Sequence, residues 1–171
     1  MPNTNTFQRA ALLPSDALGA SSTSEIQFSK GGANCLCYID GSNILADRPF
    51  RVKVWGRSTT GASTNVTIKI YLGLTTGTNI ATSGALAVNS TSANWYLSCL
   101  VLVDPTSKKL QGIIEEGWVN VTAVATATLT AATSGVDPSL EGTNYFSASV
   151  THSASNAGTS SILEGFELEQ C

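Results

Sequence analysis

A nucleophile needs a base, and this chain offers a single imidazole, His152. It follows the alternating run Phe146–Thr151, and no acidic residue stands near it in sequence to orient the ring. A Ser- or Cys-based transfer site therefore lacks a member, and His152 is expected to be an exposed histidine at a strand end. Paired carboxylates for glycoside cleavage would have to come from Glu115, Glu116, Glu164, Glu167 and Glu169. Glu115 and Glu116 are adjacent and should point to opposite faces of a strand, while Glu167 and Glu169 read as the solvent side of the last strand. Cys35 and Cys37 place two sulfurs on one strand face, but Cys99 and Cys171 are remote and one histidine does not complete a ligand set. The four cysteines read as small buried groups or free thiols. No glycine-rich phosphate loop precedes a helix, and no acidic calcium loop occurs. The expectation is a chain that is not an enzyme, with no catalytic residue, no cofactor, no metal and no small-molecule substrate.

Binding chemistry is better represented. Trp95 alternates with Leu97 and Cys99 and reads as core. Trp55 lies opposite Phe50, Val52 and Val54, so if those face inward it faces solvent or a second chain. Trp118 is not assigned to either side.

The elements that must position these side chains follow from the period of the apolar residues. Alternation at two, the mark of a half-buried strand, runs through Phe50–Trp55, Val66–Leu72, Trp95–Val103, Phe146–Thr151 and Ile162–Glu169. In the third run both sides are partly apolar, as in a strand covered on two faces. Turn clusters separate the runs: Gly31-Gly32, Asp40-Gly41-Ser42-Asn43, Thr60–Ser63, Thr76–Asn79, Asp104-Pro105-Thr106, Ser134–Pro138 and Ala157-Gly158. Asp40-Gly41 gives the best local hairpin signal. The segment from Lys108 to Glu116 is interrupted by Gly112 and reads as strand and loop. Strands without helices to cover them must bury their faces on one another, so the fold class expected is all-β, an antiparallel, jelly-roll-like β-sandwich.

The chain has 171 residues, enough for one core, and the sandwich is assigned to residues 25–171. Residues 1–24 scatter Phe7, Leu12, Leu13 and Leu18 among polar residues and read as an extended N-terminal arm that orders on a partner. Charged residues make up 12% of the chain and the net charge is −3, which argues against nucleic acid as a partner. The polar first residues lack a signal peptide's pattern, and no apolar run approaches a membrane span, so export and a membrane partner are not expected.

Several segments together resemble small β-rich virion structural proteins of tailed bacteriophages, of the capsid decoration, or cement, type. They are Leu45–Arg57, with Arg48-Pro49 feeding a strand that ends in Gly56-Arg57; Val66–Gly73; Ala93–Leu97; Phe146–Ser149; and Gly165–Glu169. The likeness covers about three quarters of the chain, and Cys35-Leu36-Cys37 departs from its pattern. It implies a sandwich on the outside of a phage head, assembled in the host cytoplasm. Its partners would be the major capsid protein and copies of itself as a homotrimer. Partner contacts are assigned to Phe7, Leu12, Leu13 and Trp55. The alternative is a head-fibre, neck or tail-associated module for host surfaces or carbohydrate, in which Trp55, Tyr71 or Trp118 forms a stacking platform. A lyase or hydrolase fragment is a third, for which no acid–base set is visible.

Overall fold

Alternating burial builds the long strands, and the turns between them set which strands meet. The computed structural model describes residues 8–10, 16, 18–19, 23–34, 36–59, 64–74, 78–88, 92–120, 122–123, 130–131, 135–154 and 159–171. In chain order the elements are β1 (Gln8–Ala10), β2 (Leu18–Gly19), β3 (Ile26–Gln27), β4 (Ser29–Lys30), β5 (Ala33–Asn34) and β6 (Leu36–Asp40). Next come α1 (Gly41–Leu45), β7 (Phe50–Thr59), β8 (Thr64–Leu72), β9 (Asn79–Thr82), β10 (Leu86–Val88) and β11 (Ala93–Val103). The chain ends with β12 (Leu110–Val119), β13 (Thr122–Ala123), β14 (Thr130–Ala131), β15 (Thr143–His152) and β16 (Ser160–Gln170).

Two antiparallel sheets face each other. The front sheet runs β1-β16-β7-β11-β12-β13, with β2 also on β16; the back sheet runs β14-β9-β8-β15-β3, with β10 on β8 and β6 on β15. This is the all-β, jelly-roll-like sandwich expected from the sequence. Two short pieces of the segment assigned to the arm, β1 and β2, lie along the outer edge of β16.

The core lies between the sheets. Phe50, Val52 and Val54 from β7, Trp95, Leu97, Cys99 and Val101 from β11, and Leu163, Phe166 and Leu168 from β16 meet Val66, Ile68, Ile70, Phe146, Ala148 and Val150 from the back sheet. Phe50 and Phe146 join the layers edge to face, with ring centroids 5.5 Å apart, and Phe28 packs on Trp95 at 6.0 Å. Burying one such Phe contributes roughly 1.5–3 kcal/mol, so the seam between sheets is the main source of stability.

Three local readings are corrected. Asp40-Gly41 does not turn a hairpin: Asp40 is the N-cap of α1, accepting from the Ser42 amide at 3.0 Å, and β6 pairs with β15 instead. Gly41 fits because a Cβ there would meet the Leu140 carbonyl oxygen at 2.4 Å. In β16 a register shift between Leu163 and Gly165 inserts Glu164, so Leu163 rather than Ile162 shares the inner face with Phe166 and Leu168. In β12 the register shift opposite Ser98 and Cys99 leaves Glu115 and Glu116 both exposed on the outer side instead of on opposite faces. The Gly31-Gly32 turn does close a hairpin, between β4 and β5, with both glycines at positive φ.

Candidate functional site

Register across the front sheet sorts its outer face into rows. Trp55 of β7 lies opposite Tyr96 of β11 and Gly165 of β16, and Tyr96 lies opposite Trp118 of β12. Residues directly opposite in an antiparallel pair project to the same side, so Gly165, Trp55, Tyr96 and Trp118 form one cross-strand row. All three aromatic residues are half-buried. The Trp55 indole lies over Gly165: a Cβ at position 165 would come within 2.0–2.7 Å of three of its ring carbons. Trp118 is held from the side, its Nε1–H donating to the Glu116 carboxylate.

Polar rows flank this strip. On one side Glu167, Lys53, Ser98 and Glu116 stand in register; on the other, Ile162, Arg57 and Asn94. Lys53 Nζ donates to Glu169 at 2.7 Å, Arg51 Nε donates to Glu115 at 2.8 Å, and Arg57 lies 3.6 Å from Glu164. The hydrogen bond to Glu169 raises the Lys53 pKa against the opposing effect of partial burial. The Arg51 row continues into Leu100 and Ile113, and Leu102 lies one step beyond it.

The outer face of the back sheet differs. Tyr38 of β6 and Tyr145 of β15 are register partners, 49% and 38% exposed, with ring centroids 6.1 Å apart. Leu74 follows Gly73, whose amide donates to the Tyr145 carbonyl, and is half exposed. Asp40 borders this apolar patch, and Tyr38 also forms one wall of a cleft of about 140 Å³ with Ile39, Asp40, Asn43, Phe50, Leu168 and Gln170. Farther along, Glu25 accepts from Lys69 Nζ at 2.7 Å, from Ser149 Oγ at 2.5 Å and from the Tyr71 hydroxyl. Burial alone would raise the Glu25 pKa, but the hydrogen bonds from Lys69, Ser149 and Tyr71 outweigh it and hold the carboxyl low. The cluster fastens the segment before β3 onto β8 and β15.

His152 is not exposed. The alternation Asn144, Phe146, Ala148, Val150 continues one step further than expected and turns residue 152 inward, where it is completely buried. Its Nε2 lies 2.9 Å from Ser161 Oγ, Ser161 Oγ lies 2.6 Å from Ser58 Oγ, and Trp95 Nε1 donates to Ser58 Oγ at 3.1 Å. This polar chain crosses from the back sheet to three strands of the front sheet. The imidazole Nδ1 has no hydrogen-bond partner among the described residues, and burial pulls the His152 pKa below its ordinary value. Among the described residues no carboxylate joins this series of contacts, and its members, all buried, link the two sheets.

Of the residues assigned to partner contact, Trp55 lies on the outer front face; Phe7, Leu12 and Leu13 lie outside the described residues. Of the three platform candidates, Trp55 and Trp118 are brought into one row, whereas Tyr71 belongs to the other sheet and is 3% exposed. Tyr96, which joins the two tryptophans, carries no signal of this in the sequence, because only strand pairing reveals it. Cys37 and Cys99 are buried free thiols; burial raises both pKa values, that of Cys99 to about 12, while Cys171 is exposed. Cys35 lies outside the described residues.

No family model matches the chain, and no curated protein matches it in sequence. Among solved structures it is similar to the carbohydrate recognition domain of Emp47p, with TM-score 0.41 and 9% identity over 99% of this chain and 89% of that one. It is also similar to the alginate lyase AlgAT5 of Polysaccharide Lyase family 7, with TM-score 0.36 and 7% identity over 86% and 68%. A third likeness is to infectious bursal disease virus, Gx strain, with TM-score 0.37 and 13% identity over 99% of this chain and 43% of that one. The neighbours thus include a virus structure and jelly-roll-like β folds. At these scores the likeness carries no function and no site residue to this chain.

Proposed function

We propose that this chain is a structural virion protein of the capsid decoration type, a small sandwich that docks on the outside of a tailed phage's head and stabilises it. Its partners in this reading are the major capsid protein and copies of itself as a homotrimer, and it works by binding rather than by catalysis. The observation that carries the reading is the exposed pair Tyr38 and Tyr145 on the back sheet, register partners whose rings meet, with Asp40 beside them. Exposed, paired tyrosines are the composition of a binding hot spot. The adjoining cleft offers room for one side chain of the partner. Phe7, Leu12 and Leu13 add the arm contact that the sequence suggests. A subunit that binds only the assembled shell stabilises it by mass action over every copy bound.

Co-sedimentation with undecorated heads tests this. The parent protein should pellet with the particles, and Tyr38→Asp with Tyr145→Asp should abolish attachment while leaving the β-rich circular dichroism spectrum intact. Attachment retained by that folded double variant would overturn the back-sheet docking.

A further inference from the structure

On the opposite face from that docking patch, the row Trp55, Tyr96 and Trp118 has the geometry of a sugar-stacking strip. We propose that it binds a neutral oligosaccharide, each aromatic side chain stacking on a pyranose ring while the flanking polar rows hydrogen-bond the hydroxyls at the ring edges.

Three observations carry the inference. First, the Trp55 indole lies over Gly165, so the glycine sets where the ring rests, and the side chain is still partly exposed on the outer face. Any side chain at position 165 would lift that ring. Second, the three aromatic residues come from neighbouring strands in direct register, so they follow one another in a line across the sheet and a single oligosaccharide crossing the strands meets them in turn. Third, the strip is one residue wide. Lys53, Glu116 and Glu167 border it on one side and Ile162, Arg57 and Asn94 on the other.

The width and the borders select the ligand. A protein partner's interface core is broad and depleted of charge, which this strip is not. A sugar has apolar faces and a polar perimeter, and that is what an aromatic line between two hydrogen-bonding rows complements. Around the strip three carboxylates, Glu116, Glu164 and Glu167, stand against two cations, Lys53 and Arg57. This balance repels polyanions, so uronate chains and single-stranded nucleic acid fit worse than a neutral glycan.

The test is titration of the purified full-length protein with neutral hexasaccharides (β-1,4-glucose, β-1,4-N-acetylglucosamine and mannose oligomers) and with a hexauronate, followed by tryptophan fluorescence and calorimetry. At least one neutral hexamer should bind at sub-millimolar concentration, and the hexauronate should bind more weakly. Tyr96→Ala and Trp118→Ala should each weaken binding by roughly tenfold, the size of one stacking contact. These two variants leave the Trp55–Gly165 contact in place, so they report on the strip even where Trp55→Ala unfolds. Tyr38→Asp with Tyr145→Asp, which tests docking, should bind the sugar as well as the parent. Failure of every neutral hexamer to bind, tighter binding of the hexauronate, or unchanged affinity in both aromatic variants would overturn the proposal without touching the docking reading.

Discussion

His152 Nε2 and Ser161 Oγ meet at 2.9 Å across the interior of the sandwich, one from each sheet. The contact links the layers through polar atoms rather than through packing, and it makes the seam sensitive to protons.

The pH dependence follows from the direction of the His152 shift. Its folded pKa is lowered by burial, so the unfolded chain takes up a proton first as pH falls. Stability is therefore complete above the unfolded value of about 6.5 and declines as pH falls below it toward the folded value. Glu25, whose folded pKa is also lowered, adds a second loss that begins near the ordinary carboxylate value and continues below it. Urea midpoints measured from pH 8 to pH 3 should show both phases, and His152→Leu should erase the first. A midpoint that is flat between pH 7 and pH 5 would contradict the first phase.

Ser161→Ala should be costly for its size. It removes the hydroxyl shared by His152 and Ser58 and leaves buried polar groups to find new partners, which costs about 1–3 kcal/mol. Chemical denaturation at pH 7.5 measures it, and a cost below half the lower bound would show that the chain of contacts is dispensable.

Gly165→Val should destabilise by roughly 1–3 kcal/mol through overpacking against the Trp55 ring. Because the strain arises from that one contact, adding Trp55→Ala should recover much of the loss. A double-mutant cycle with no coupling would mean that the indole does not rest on the glycine.

Site-resolved alkylation followed by mass spectrometry should label Cys171 quickly and leave Cys37 and Cys99 untouched in the native protein. Both buried thiols have raised pKa values and no solvent access, so little thiolate is present to react. In denaturant all four cysteines should label alike; rapid native labelling at Cys99 would place it outside the core.

The sandwich was legible because alternation is local: Phe50, Val52 and Val54, then Trp95, Leu97 and Cys99, announce their inner faces within a few residues. The strip was not, since it depends on which strands are neighbours and in what register, and nothing near Tyr96 in sequence points to Trp55 or Trp118. His152 differs for another reason: the alternation of Phe146–Thr151 runs one step further in the fold, and that step carries the imidazole inside. The inserted Glu164 and the irregularity at Glu115 shift the period by one, and a strict alternation cannot anticipate them. Asp40-Gly41 was ambiguous by chemistry, because the residue that favours a tight turn also caps a helix.

The long strands also have company along their flanks: β1 and β2 on β16, β3 and β6 on β15, β9 and β10 on β8. Short companions occupy amide and carbonyl groups that would otherwise recruit a foreign strand. A copy approaching along these flanks therefore meets side chains before it meets free backbone groups.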